Sequence, residues 1–479
     1  MAESLKDKTA KGLFWGGFSN GAQQLLNLLF GIVLARLLDV NDYGMIAMLS
    51  IFSLIASTLQ EGGFISALTK RRNASHADFN SVFWFCSAVG FSLYALLALA
   101  APLISAFYSI DELTPLARLS FLSFAISSLG IAPRAILFKN LKVKQATIIN
   151  LSALLISGCV GIFLAYNGWA YWGIAWQTIT FVSVTTALNF YFAKWHPSLS
   201  FSIKPIREMF GFSSKIIVTN IFTIINNDLL SVILGRLYSQ HEVGNFNQAN
   251  KWNSMGHNLI TGMINGIAQP VFSSIDNSAR QLAVFRKLLR FTALVSFPVM
   301  LGICFIAPEL IVIAITDKWI ESVPLLQILC CWGAFVPIIK LYTNLLISRG
   351  LSGIYMWCTI ALSAVQLSLI CCSYSLGISW IVMIFVATHI AWLLVWHRFV
   401  NREIGLRLFD SLRDIAPFLV IAIVAIAASS LVSCHIGNIY LRFAAKIVVT
   451  AALYIAIIWR IQARIFHECI DYLLKRHKQ

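Results

Sequence analysis

Long apolar stretches recur along the chain, and their recurrence limits the fold more than any other feature. A hydrocarbon core of ~30 Å takes about 20 apolar residues per helix, and about fourteen segments here reach that length. They begin near residues 12, 44, 80, 114, 146, 170, 212, 244, 284, 320, 353, 378, 414 and 438. Hydrophobic residues make up 58% of the 479 positions and charged residues 12%, a balance too apolar for a soluble core of that size. The expected class is an all-α polytopic membrane protein. Its first segment is too long, and too polar on one face, to be a cleaved signal.

The formal net charge is +16, which in a soluble chain would suggest nucleic acid. Its placement gives another reading. Most of the 36 Lys and Arg fall in alternate connections or in the tails: Lys6 to Lys11, Lys70 to Arg72, Lys139 to Lys144, Lys194 to Lys215, Arg280 to Arg290, Arg349, Arg398 to Arg413 and Arg460 to Lys478. The connections between these clusters carry almost none. This is the positive-inside pattern, and it predicts an even number of spans with both termini cytoplasmic and no nucleic-acid partner. The ten cysteines lie mostly inside apolar segments, with neither CxxC spacing nor a His pattern, and read as small core hydrophobes.

A second constraint is an internal repeat. VLARLLDVNDYG from Val33 to Gly44 returns as ILGRLYSQHEVG from Ile233 to Gly244, with Leu34, Arg36, Leu37 and Gly44 matched by Leu234, Arg236, Leu237 and Gly244. Asp42 and Glu242 are a close substitution. Upstream, Asn20, Gln23 and Asn27 align with Asn220, Thr223 and Asn227, at spacings that put each set on one helical face. The motif predicts a helix hairpin in which Arg36 and Arg236 end an apolar run and reach the head groups. Asp42 and Glu242 would complement the positive start of the next helix. The period implies two parallel six-helix repeats, residues 1–207 and 208–407, around a V-shaped central cavity. Residues 408–479 add two helices and a basic tail. Parallel repeats of this kind belong to alternating-access transporters.

The polar residues are concentrated on the repeat-related segments. The eighth segment, GNFNQANKWNSMGHNLITGMINGIAQP, is the least apolar, with Asn247, Asn250, Ser254 and Asn258 at helical spacing beside Lys251. A helix this polar needs a wet cavity or polar neighbours. These residues, with Asn20, Gln23, Asn27, Asn220, Thr223 and Asn227, are the expected cavity lining. Amides that only bond helix to helix are the alternative. No P-loop, metal-ligand cluster or nucleophile motif appears, and every connection is short, so no enzyme chemistry, cofactor or metal is expected.

ARLLDVNDYG, then QEGGFISALTKRR, HADFNSVFWF and APRAILFKNLKVK, resemble the Wzx-type polysaccharide flippases of the multidrug/oligosaccharidyl-lipid/polysaccharide exporter superfamily. The resemblance covers nearly the whole chain. It implies a bacterial inner-membrane flippase that moves an undecaprenyl-diphosphate-linked oligosaccharide to the outer leaflet for lipopolysaccharide, capsule or exopolysaccharide assembly. Membrane lipids and other glycan-assembly membrane proteins would be its further partners. A diphosphate needs cations, and Lys251, Arg134 and Lys340 are the candidates for the headgroup contact. An ionised group inside a span costs ~3 kcal/mol on insertion scales, which makes Glu61 and Asp228 candidates for coupling to H+ or Na+. A structural Asp228 to Lys251 ion pair is the alternative. The competing functions are a cation-coupled multidrug exporter of the same superfamily and a membrane-embedded glycosyltransferase or polymerase.

Overall fold

The computed structural model describes residues 5–460 except 62–63, 66–67, 69–73, 141, 209–216, 218–220, 222–223, 225–229, 274 and 276, with the backbone alone at 5–14, 16–18, 61, 267 and 269–270. The described residues are helical, with no strand among them. Helices α1 (Leu5–Leu37), α2 (Val40–Glu61), α3 (His76–Tyr108), α4 (Leu113–Leu129), α5 (Ile131–Lys139), α6 (Val143–Tyr166) and α7 (Ala170–Ala193) come first. They are followed by α8 (Gln240–Ser273), α9 (Ser278–Ile315), α10 (Ser322–Gly333), α11 (Val336–Ser348), α12 (Ser352–Ser373), α13 (Ile378–Ile404), α14 (Leu408–Ser433) and α15 (Ile439–Arg460).

Among the described residues, nine helical stretches are long and apolar enough to cross a membrane, and α4 with α5 makes a tenth as a pair bent by 46°. The bend falls at Gly130. Pro133 explains it, because the ring has no N–H to donate and clashes with the carbonyl four residues back. Helices α1 and α8, of 33 and 34 residues, are long enough to span but too polar to pass on hydropathy. Long-range contacts divide the chain after Gly244. The expected division at 207/208 follows sequence symmetry, a different criterion from contact.

In the first unit, Met1–Gly244, α6 packs between α1 and α7, and α3 packs along α4. Ser75 starts α3 with a capping box: its hydroxyl accepts from the Asp78 N–H, and its own N–H donates to Asp78 at 2.8 Å. The polar connection after α7 is strapped to that start. Asn80 accepts from the Ser198 N–H at 2.8 Å and donates to the Ser200 carbonyl, while the Trp84 indole donates to the Ser198 carbonyl at 2.7 Å. Trp195 closes the strap by packing on Phe83 and Phe190 over a core that includes Leu68, Val82 and Ile131.

The two copies of the repeated motif, both within this unit, fold their corners alike. Tyr238 N–H donates to the Leu234 carbonyl at 2.8 Å, as Leu38 N–H does to Leu34. Asp42 accepts from the Asp39 N–H at 2.9 Å, and Glu242 from the Ser239 N–H at 3.1 Å, each carboxylate covering a free donor at its helix start. The corners also touch each other. A methyl built on Gly44 would lie 2.1 Å from the Gln240 carbonyl oxygen, and one built on Gly244 would lie 2.1 Å from the Val40 carbonyl oxygen. Only glycine permits an approach this close from both sides. Arg236 lies 5.5 Å from the centre of the Phe107 ring, an aromatic neighbour that the hairpin reading did not anticipate.

In the second unit, Asn245–Gln479, α9 is the post against which α10, α14 and α15 pack. The last two helices look nearly all apolar in sequence, yet ion pairs dock them. Near the start of α9, Arg286 holds the buried Asp414 of α14 at 2.6 Å, Arg290 reaches the same carboxylate at 2.7 Å, and Arg286 also meets Asp410 at 3.3 Å. Near the other end of α9, the buried Glu309 pairs with Arg442 at 2.8 Å and Lys446 at 2.9 Å, both from α15.

Two stability tests follow from these contacts. Glu309→Gln leaves the half-buried Lys446 beside a neutral group, and breaking a largely buried pair from one side costs about 3–5 kcal/mol. Glu309→Gln should therefore lower the thermal unfolding midpoint in detergent, and Glu309→Leu combined with Lys446→Met should recover most of the loss. Gly44→Ala and Gly244→Ala should each cost about 1–3 kcal/mol by overpacking. Gly21→Ala, where a methyl would meet nothing within 4 Å, should be neutral in the same melt.

Candidate functional site

Each unit carries a concentration of polar side chains, and the two differ in character. In the first unit a cavity of about 240 Å³ opens between α2, α4, α5 and α7. Gln60 and Ser127 line it as a pair, the Gln60 amide donating at 2.9 Å and the Ser127 hydroxyl donating back at 3.2 Å. Thr185, Asn189 and Arg134 complete the polar wall. Asn189 is 4% exposed and lines the space. Arg134 joins this wall from α5, beyond the bend at Gly130.

In the second unit α8 presents polar groups on two faces. Asn247, Asn250, Lys251 and Ser254 are half-buried and Asn258 is exposed. Lys251 is engaged rather than free. The other face, Asn253, His257 and Thr261 at successive turns, is buried, with Asn253 and His257 against α10. Both amide atoms of Asn253, Nδ1 of His257 and Oγ1 of Thr261 are buried without a hydrogen-bond partner. Asn253 is 0% exposed and its amide lies against the backbone of Gly333. Further along α8, Asn265 accepts at 2.9 Å from Asn344 of α11.

Lys340 stands in the middle of α11, half-buried, and its ammonium has no ion pair or hydrogen bond among the described residues. Beyond His257 the aromatic sequence continues through Trp332, 5.9 Å away, to His389 of α13, 5.0 Å from the same indole. His389 is held by Gln366 of α12 and the Phe385 carbonyl.

Among the other expected site residues, Asn20 and Asn27 are exposed on α1 and Gln23 donates to Ser19 at 2.7 Å. Asn220, Thr223, Asn227 and Asp228 lie outside the described residues, as does the side chain of Glu61. The structure adds Asn253, His257, Gln366 and His389 to the polar set. Their sequence signal is a second row of polar residues on the eighth segment at spacing four, Asn253, His257 and Thr261, offset by one residue from the row Asn250, Ser254, Asn258.

The described helices form an all-α, multi-pass bundle of membrane-spanning length, and that fold has solved counterparts. Aligned to the solved Lipid II flippase MurJ in an inward closed conformation, the chain gives a TM-score of 0.75 at 16% identity, covering 96% of this chain and 100% of that one. A multidrug resistance MATE family transporter in an inward-facing conformation gives 0.65 at 15% identity, covering 80% and 94%. Residues 33–324 match the family described as polysaccharide biosynthesis protein, and the chain belongs to that family. Among its relatives, the lipopolysaccharide biosynthesis protein WzxC of Escherichia coli (strain K12) is 25% identical over 337 residues, 69% of this chain and 68% of that protein. The teichuronic acid biosynthesis protein TuaB of Bacillus subtilis (strain 168) is 22% identical over 367 residues, covering 72% of each. The succinoglycan biosynthesis transport protein ExoT of Rhizobium meliloti (strain 1021) is 19% identical across 98% of this chain and 97% of its own.

The two faces of α8 call for opposite results on substitution. With native cysteines replaced, single cysteines at Asn250, Ser254 and Asn258 should react with a small polar maleimide, and those at Asn253 and His257 should not. Asn253→Leu removes two unpartnered polar atoms, each costing about 1–3 kcal/mol when left unmade. It should melt no lower than the parent protein, while transport falls if the amide has a ligand to meet.

Proposed function

We propose that the protein is a flippase, carrying an undecaprenyl-diphosphate-linked oligosaccharide from the cytoplasmic to the outer leaflet of a bacterial inner membrane by alternating access. The observation that carries this reading is Lys340, an ammonium inside a spanning helix with no carboxylate to neutralise it among the described residues. A charge in that position is costly unless a ligand or water compensates it, and a diphosphate is a matched ligand for a point cation. The exposed and half-buried amides of α8 supply donors and acceptors for sugar hydroxyls. Lys251, on α8 of the same unit and itself engaged, would join the headgroup as it moves. WzxC and TuaB, with their names in polysaccharide assembly, support the same substrate class. A drug exporter shares the fold, but organic cations would be repelled by an unpaired lysine. Both termini are taken as cytoplasmic from the basic connections, and the transport cycle as driven by H+ or Na+. Other glycan-assembly membrane proteins would supply the loaded lipid and consume it.

The test is export of surface glycan in cells whose native copy is replaced. A charge-assisted contact contributes about 1.5–3 kcal/mol, so Lys340→Ala should reduce export by roughly ten- to a hundredfold at unchanged protein level, while Lys340→Arg retains part of it. Full export by Lys340→Ala would remove the headgroup assignment.

A further inference from the structure

We propose that the cavity between α2, α4, α5 and α7 of the first unit is a subsite for one sugar ring bearing a carboxylate, held by Arg134 and by the polar wall around Asn189. The inference rests on the flippase reading and adds one chemical feature of the glycan to it. At about 240 Å³ the space lies just below the ~300–1,000 Å³ of drug-sized ligand pockets, which leaves room for a single ring and not for an oligosaccharide. Part of its wall is fixed before anything binds. Gln60, 3% exposed, donates to Ser127 at 2.9 Å and accepts from it at 3.2 Å, so each side chain holds the other in place. Asn189 differs: it is 4% exposed, lines the space and makes no hydrogen bond among the described residues. Buried amides are almost always bonded, so this one keeps its donors and its acceptor for something that enters.

The hydroxyls of the wall decide which ligand that is. Ser57 donates to the Leu54 carbonyl at 2.9 Å, and Ser123 donates to the Ser120 carbonyl at 2.7 Å. A hydroxyl has one proton, so each of these commits it to its own helix and offers the cavity lone pairs alone. Such a wall accepts from O–H groups and repels a bare anion. Arg134, exposed on α5, is the one charged residue among the described residues that line the space. Its planar fork matches a carboxylate by two parallel hydrogen bonds. Phe181 and Val182 of α7 give the cavity an apolar side for the C–H face of a ring. A sugar acid has O–H donors along its edge, C–H faces and one carboxylate, and so meets all three demands. A diphosphate presents acceptors on every side and meets only the arginine. Arg134 therefore belongs to the glycan and not to the headgroup.

The test uses purified full-length protein in phosphatidylcholine nanodiscs, with binding of methyl β-glucuronide, methyl β-glucoside and inorganic phosphate read by saturation-transfer NMR. The glucuronide should bind in the millimolar range and the glucoside about tenfold more weakly, the step that a charge-assisted hydrogen bond gives. Phosphate should not compete. Arg134→Gln should bring the two glycosides to the same affinity, and Arg134→Lys should keep part of the preference if glutamine perturbs folding. Asn189→Leu should weaken both. Arg118→Gln, which removes an exposed charge from α4 outside the cavity, should bind like the parent protein. Equal affinity of the parent for both glycosides, an unchanged preference in Arg134→Gln, or no binding of the glucuronide would overturn the subsite. Competition by phosphate would overturn it too, by making the cavity a general anion site. Each of these results leaves the flippase reading standing, because that reading is tested by glycan export in Lys340→Ala cells.

Discussion

The reciprocal contact between Gly44 and Gly244 is the constraint on which the first unit turns. Each glycine lies against the backbone carbonyl of the residue four positions before its counterpart, Gln240 for Gly44 and Val40 for Gly244. The two contacts are the same contact read in both directions, which is what a duplicated corner produces when its copies pack on each other. Such a junction has little side-chain chemistry. It consists of backbone passing backbone, with weak Cα–H to carbonyl contacts and dense packing as the attraction. Attraction of that kind is short in range, so it holds two segments closely and releases them with little resistance once they part.

Around this contact the protein separates two uses of polarity. Where Asp414 and Glu309 are buried, each is matched by two cations, and the groups fix α14 and α15 to α9. Where Asn253, His257, Thr261 and Lys340 are buried or half-buried, partners are missing among the described residues. Saturated ion pairs and unsatisfied amides both cost free energy in a membrane, but only the second kind leaves capacity for something that arrives later. The same helix, α8, separates the two kinds of surface along its length: it bonds to α11 through Asn265 and leaves Asn253 unbonded three turns earlier.

Much of this was legible in the sequence and some was not. The apolar segments, the hairpin corners and the role of Asp42 and Glu242 follow from periodicity and helix-end electrostatics, which act over a few residues. The polarity of α8 was equally plain, but a helix with so many amides has more than one polar stripe, and Asn250, Ser254 and Asn258 were favoured over Asn253 and His257. Periodicity gives the angle between two stripes and says nothing of which one meets another helix. Pro133 signalled the break in the fourth segment, although the bend falls at Gly130 because the proline acts on the turn before it. Glu309 went unnoticed as a docking point because its partners, Arg442 and Lys446, lie far along the chain and only tertiary packing unites them.

The pairing of Glu309 with a helix made much later also bears on how the protein is assembled. During synthesis α9 is inserted well before α15 exists, so for that interval the Glu309 carboxylate near its end lacks both of its cations. Protonation or a temporary water defect can carry it through, but neither lasts for the life of the protein. Arrival of Arg442 and Lys446 converts α9 from a helix poorly suited to its surroundings into one that is fully compensated. A chain stopped short of α15 would therefore keep a bare charge in the helix around which the second unit is packed.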